Sequence, residues 1–191
     1  MKAAGLIAAA IISISSFLFA AEPQKGSPLR RDQAQKILGA DVPRLLCLDE
    51  NFATGGQPTS DAYAKAAASG FASVLSLRTA GEGVDLIKER ARSENGKLRY
   101  FNIPVDSSAP RPAQADEFLR IARDKANQPM LVTCATANRV GAFMMILRVV
   151  EQGWSEATAL DEAIKIGLRG EELKKFAKDY IAGHTLKRRL S

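Results

Sequence analysis

The stretch Met130-Leu-Val-Thr-Cys-Ala-Thr-Ala-Asn-Arg-Val-Gly141 joins a short apolar run to a cysteine, four small or polar residues and an arginine, then enters an apolar helical pattern. Small residues after a strand let successive backbone N–H groups converge on one anion, and the N-terminus of the next helix adds its partial positive charge there. The same field favours thiolate over thiol at Cys134, which makes it a strong nucleophile. Arg139 at the rim offers a planar fork of donors that can hold two oxygens of a phosphoryl group, a geometry lysine cannot match. Ala135, Thr136, Ala137, Asn138 and Arg139 are thus the candidate anion-binding set. A second reading of Cys134 is a small core hydrophobe at a strand end. The strand, the loop and the nearly all-apolar run Val140 to Val150 occurring together favour the nucleophile.

These residues need a scaffold. Leu45 to Leu48 and Phe52 to Thr54 read as short strands, Ser60 to Ser69 as a helix capped by Thr59 or Ser60, and Ser73 to Leu77 as a strand. Val84 to Arg92 reads as a helix ending near Asn95-Gly96, Arg99 to Val105 as a strand and Pro112 to Ala126 as a helix. After the Cys134 strand and its helix come Ser155 to Ile166, capped by Ser155, and Gly170 to Ala182. Alternating strands and helices predict an α/β fold with a mainly parallel central sheet flanked by helices. Ligands of such sheets bind beyond the carboxyl ends of the strands, where Cys134, Asp106 and Arg78 emerge. Arg78 either meets substrate anions there or pairs with Glu82, the second being preferred. Trp154 reads as a packing anchor against the helix after Cys134. One histidine, His184, and two separated cysteines give no metal-ligand spacing, and His184 reads as an exposed tail residue.

Four markers occur in order: Phe52-Ala-Thr-Gly-Gly-Gln-Pro-Thr59 before a helix, the strands Ala72-Ser-Val-Leu-Ser-Leu-Arg78 and Phe101-Asn-Ile-Pro-Val-Asp106, and the Cys134 loop. Together they resemble a bacterial protein-tyrosine-phosphatase-like family of the dual-specificity phosphatase superfamily, related to the phosphatase-like domain of beta-lactamase-hydrolase-like proteins. The likeness spans roughly residues 45–170. It implies a cysteine-phosphatase-like fold in which Cys134 attacks phosphorus to form a phosphocysteine, Arg139 binds the phosphoryl oxygens and Asp106 protonates the leaving group. It implies no cofactor and no metal, and a phosphorylated substrate of unstated class. Asp106 lies 28 residues before Cys134, where a strand passes into Ser107-Ser-Ala-Pro-Arg-Pro112. A mobile loop there can carry an acid over a bound substrate. Asp is equally a turn former after a strand, and both readings stand.

The chain departs from the superfamily pattern at Thr133, where most members have His, at Ala137, which replaces a loop Gly, and at Val140, which replaces a hydroxyl residue. Ala at a position needing positive φ is strained by roughly 1 kcal/mol. The loop also holds four residues between Cys134 and Arg139, where the wider superfamily has five and rhodanese-type sulfurtransferases have four. A sulfurtransferase forming a persulfide on Cys134 and a non-catalytic anion-binding module are therefore the alternatives to the phosphatase.

Residues 3–21 follow Lys2 as an apolar stretch that reads as a signal peptide cleaved after Ala20 or Ala21, giving an exported, periplasmic or secreted protein. About 19 apolar or small residues nearly span a bilayer, so an uncleaved anchor is the alternative; with the leader cleaved, no stable membrane insertion is expected. Residues 22–42 are expected to be a flexible spacer, 43–183 the globular domain and 184–191 a basic tail. The 191-residue chain has formal net charge +6, or +5 without Lys2, concentrated in Arg30-Arg31 and Lys187-Arg-Arg189. No basic stripe with interleaved aromatics points to nucleic acid. A Cys47 to Cys134 disulfide would silence the nucleophile in an oxidising compartment, while Cys47 as a core residue of the first strand is the preferred reading.

Overall fold

The computed structural model describes residues 31–190, so the expected leader and the start of the spacer lie outside the described residues. The strands are β1 (Leu46–Cys47), β2 (Phe52–Gly55), β3 (Ser73–Ser76), β4 (Arg99–Asn102) and β5 (Met130–Thr133), in the sheet order β1, β2, β5, β3, β4. β1 is antiparallel to β2, and the other pairings are parallel, as the alternating pattern predicts. Asp49 closes the β1–β2 hairpin, its Oδ1 accepting from the N–H groups of Asn51 at 2.8 Å and Phe52 at 2.9 Å.

β2, β3 and β5 are buried along their whole length, which a parallel sheet covered on both faces requires. Their side chains alternate between two cores. Met130, Val132, Leu75 and Phe52 pack with Phe118 and Phe143, whereas Leu131, Val74 and Ala53 pack with Leu38, Tyr63 and Phe71. The first core is completed by α4 (Pro112–Arg123), α5 (Asn138–Val150), α6 (Glu156–Ile166) and α7 (Glu171–Leu190), the second by α1 (Arg31–Leu38) and α2 (Ala62–Ala68). α3 (Leu86–Asn95) packs beside α2 and β4.

Helix α1 corrects the expectation of a flexible spacer through residue 42. Ala34 and Leu38 lie four apart on one helical face, and both are buried with Val42. At the other end α7 takes in residues expected as a tail, because Gly183 inside a helix costs only about 1 kcal/mol. β4 stops before Val105 because Pro104 has no N–H for the ladder. α4 stops at Arg123 because Asp124 turns extended and accepts from the Ala126 N–H at 2.9 Å. Neither Thr59 nor Ser60 caps α2: Asp61 is its first flanking residue, and the Thr59 hydroxyl donates instead to Asp41 at 2.9 Å. Ser155 does cap α6, accepting from the Thr158 N–H at 3.1 Å.

Two features fix α5. A Cβ at Gly141 would lie 2.7 Å from the Ala163 carbonyl oxygen, so only glycine lets α5 approach the end of α6 this closely. Near its far end Arg148, 2% exposed, binds Glu162 at 2.6 and 3.1 Å, Asp49 at 2.6 Å and Gln152 at 2.7 Å, and its guanidinium lies 4.7 Å from the centre of the Trp154 ring. Trp154 thus packs on the helix after Cys134 as expected, through a cation–π contact.

Candidate active site

Gly55, Thr133, Ser76 and Asn102 are in register across four strands, so the parallel strands end at one level and the loops beyond them form one rim. Cys134 is the first residue past this level. Its N–H donates to the Gly55 carbonyl at 3.3 Å, and it is 1% exposed. The carbonyls that follow turn outward: Ala135 O accepts from the Gln57 N–H at 3.2 Å and Ala137 O from the Gly141 N–H at 3.0 Å. Ala137 has φ 65° and ψ 3°, the left-handed conformation that Gly would adopt without strain. The chain then enters α5 at Asn138, two residues earlier than the apolar pattern suggests, which sets Arg139 in the first helical turn. Thr133 spends its hydroxyl on the Leu75 carbonyl at 3.5 Å, and Val140 is buried, so neither supplies what the superfamily residues would.

Arg139 is 5% exposed and joins three rim segments. Its Nη1 donates to the carbonyls of Leu77 at 3.0 Å and Val105 at 2.8 Å, and Nη1 and Nη2 each donate to a Glu82 carboxylate oxygen at 2.6 Å. Burial opposes its charge, but the Glu82 carboxylate and the neighbouring Cys134 outweigh burial and raise its pKa. The Arg139 hydrogen bonds hold the carboxyl of Glu82 down to about 2. The bonds to Glu82 and the two carbonyls use Nη1 and one hydrogen of Nη2, and the Nε–Nη2 edge, with its two near-parallel N–H groups, lies outside them. That is the bidentate geometry a phosphoryl group takes.

The Val105 carbonyl held by Arg139 immediately precedes Asp106, so Asp106 stands at the rim. It is exposed, and its Oδ1 accepts from the Ser108 N–H at 2.9 Å and the Ser108 hydroxyl at 2.8 Å. These Ser108 bonds, the backbone one foremost, lower its pKa. Of the two roles foreseen for this residue, these bonds show the turn former.

Residues 46–182 match the model of a family described as a DSP-PTPase phosphatase fused to NAD+ kinase. The chain belongs to this family. A curated relative, the dual specificity protein phosphatase TpbA of Pseudomonas aeruginosa (strain UCBPP-PA14), is 29% identical over 104 residues, 52% of this chain and 48% of that protein. The chain thus matches about half the length of this relative. Among solved structures, a DUF442 phosphatase of Shewanella putrefaciens CN-32 superposes with TM-score 0.68 at 16% identity, covering 78% of this chain and 98% of that one. A cysteine-to-serine TpbA variant in complex with pTyr gives TM-score 0.62 at 20% identity, covering 75% of this chain and 89% of that one. The cysteine-phosphatase fold implied by the sequence markers is the fold observed.

Two loop side chains in this family member are engaged with a neighbouring connection. Asn138 Oδ1 accepts from the N–H groups of Arg169 at 2.9 Å and Gly170 at 3.2 Å, and Thr136 accepts from Arg169 Nη2 at 2.8 Å. Both are turned to the α6–α7 connection, so the expected anion-binding role of this loop rests on its backbone N–H groups and Arg139 and not on these two side chains. Arg78 pairs with Glu82 at 3.2 Å as expected. The reading missed that the same carboxylate grips Arg139. The signal was Thr79-x-x-Glu82, which reads as a helix cap and gives no hint of a distant arginine. His184 stacks on Tyr180 at 6.3 Å on α7 and takes no part here. Cys47 and Cys134 are not joined in a disulfide. β2 separates their strands, and two strand spacings of about 4.8 Å already exceed disulfide reach. Among the described residues no group of three or more His, Cys, Asp or Glu side chains could hold a metal, and no helix is long and apolar enough to cross a membrane.

Proposed function

We propose that this protein is a cysteine-dependent phosphatase acting on a phosphoester through a phosphocysteine. The observation that carries the proposal is the Arg139 guanidinium, which binds the carbonyl next to Asp106 at 2.8 Å and neighbours Cys134, so nucleophile, anion clamp and acid share one anchor. In the first step the Cys134 sulfur forms a bond to phosphorus as the ester P–O bond breaks, and Asp106 gives its proton to the departing oxygen. Water then attacks phosphorus, passes a proton to Asp106, and the S–P bond breaks to release phosphate and the thiolate. Arg139 and the loop N–H groups hold the equatorial oxygens throughout. The pTyr complex of the TpbA variant supports an aryl phosphate as a workable substrate. The apolar leader adds export to the proposal, checked by fractionating cells that make the full chain.

The test is hydrolysis of a small aryl phosphate by the reduced protein, the Cys134→Ser variant, Asp106→Asn and Arg139→Lys. Loss of turnover in Cys134→Ser with retained phosphate binding, and strong loss in Arg139→Lys, are expected. No turnover by the reduced wild type would overturn the proposal, and turnover that Asp106→Asn leaves intact would remove Asp106 from the acid role.

A further inference from the structure

We infer that Gln57 and Glu89 are positioning residues for Arg139, acting through Arg78 and Glu82; the inference rests on the phosphatase reading above. Glu89 on α3 is 3% exposed. A buried carboxyl is costly unless its oxygens are bonded, and here each oxygen has a donor: Gln57 Nε2 at 2.6 Å and the Tyr100 hydroxyl at 2.8 Å. The other end of the Gln57 amide, Oε1, accepts from Arg78 Nη1 at 2.6 Å. Arg78 in turn donates from Nη2 to the Glu82 carbonyl at 2.6 Å and from Nε to Glu82 Oε2 at 3.2 Å. Glu82 is the carboxylate that grips Arg139 at 2.6 Å through both oxygens. Five side chains thus run in one unbroken line, with signs alternating across the charged members, from a buried carboxyl to the phosphate clamp.

The amide of Gln57 has a single orientation compatible with its neighbours. Turned over, its carbonyl would face the Glu89 carboxyl and its NH2 would face the Arg78 guanidinium, and both contacts would repel. Its backbone is committed too, since the Gln57 N–H holds the Ala135 carbonyl of the cysteine loop at 3.2 Å and Gly56 pairs with Thr136. One residue therefore ties the loop that carries the nucleophile to the line that aims the clamp. Without this link Arg78 loses its outer anchor, and the Glu82 carboxylate is left with the Thr79 N–H at 2.8 Å and hydroxyl at 3.1 Å, both on Oε1, to steady it against Arg139. Arg139 would keep its two carbonyl partners while its Nε–Nη2 edge turns away from the phosphoryl oxygens.

The experiment uses Gln57→Glu, Glu89→Gln and the swapped pair carrying both, each in the wild-type chain and with Cys134→Ser. Inorganic phosphate binding is read by calorimetry in the Cys134→Ser background, and kcat and KM for an aryl phosphate in the wild-type background, with thermal midpoints alongside. Gln57→Glu sets two carboxyls against each other, and the swapped pair restores a carboxyl–amide contact with its polarity reversed. The expected result is phosphate binding weakened about tenfold by Gln57→Glu, the worth of one charge-assisted hydrogen bond, and less by Glu89→Gln. kcat should fall in parallel, and the swapped pair should recover most of both. Single variants with unchanged phosphate binding and kcat, or a swapped pair no better than the worse single, would overturn the inference and leave the phosphatase reading standing. A folded Cys134→Ser parent that binds no phosphate would overturn both.

Discussion

Replacing Glu82 by Gln tests the electrostatic account of the site most directly. The Glu82 side chain is about a quarter exposed, and its pKa falls from 4.5 to about 2, chiefly through its hydrogen bonds from Arg139. At about 1.4 kcal/mol per pH unit this corresponds to roughly 3 kcal/mol of stability near neutral pH. A second route gives the same size. Removing one partner of a buried pair costs about 3–5 kcal/mol when the other charge is stranded, and Arg139 here keeps the Leu77 and Val105 carbonyls, which puts it at the lower end. The sign with pH follows from the depressed pKa of the folded state. The contribution is complete above about 4.5 and is lost as pH falls toward 2, where the carboxyl protonates in both states. Urea unfolding of wild type and Glu82→Gln at pH 7, and again at several points down to pH 3, measures the gap. A gap near 3 kcal/mol that narrows on acidification is expected. A gap below about 1 kcal/mol at pH 7, or one independent of pH, would refute the reasoning.

Ser108→Ala removes one of the two bonds that lower the pKa of Asp106. Its pKa should rise toward the usual carboxylate range, moving the alkaline fall of kcat to higher pH; an unmoved profile would exclude Asp106 as the proton donor. Ala137→Gly relieves roughly 1 kcal/mol of strain at φ 65° but loses a buried methyl worth about 0.8 kcal/mol. Stability should therefore change by no more than about 0.5 kcal/mol in urea unfolding, and a loss above about 1.5 kcal/mol would contradict this balance. At Gly167, where φ is 144°, a Cβ would lie 3.2 Å from the Ala137 Cβ and from Arg44 Nε. Gly167→Ala should cost about 1–3 kcal/mol and slow aryl phosphate hydrolysis, and adding Ala137→Gly should return part of the rate.

The legible parts of this molecule are those written in local patterns. The buried strands, the apolar α5 and the Ser155 cap follow from periodicity and capping chemistry, and the Ala137 strain follows from a loop that must reverse before a helix. Pro104 and Asp124 moved element ends by a few residues, because one missing donor or one side-chain acceptor decides where a ladder or helix stops. Helix α1 was missed because Ala34, Leu38 and Val42 carry a weak pattern inside a polar stretch, and only packing against the second core makes it count. Motif order nominated Cys134, Arg139 and Asp106, and the fold sets Arg139 beside Cys134 and on the carbonyl that precedes Asp106. The Glu82 grip on Arg139 was not readable, since the two are 57 residues apart and no spacing rule connects them. Gln57 sat inside a recognised marker, yet its partners Arg78 and Glu89 come from two other segments, and only the fold brings them together.

The Arg148 cluster gives the site its mechanical character. Asp49 from the β1–β2 hairpin and Glu162 from α6 clasp the last turns of α5, while the Glu82, Leu77 and Val105 contacts of Arg139 clasp the first. A helix bolted at both ends can neither slide along its axis nor roll about it. In the proposed phosphatase the floor beneath the phosphate would then be held fast, and the compliance for substrate entry and phosphate release would fall on the exposed Asp106 turn, held chiefly by two bonds to Ser108.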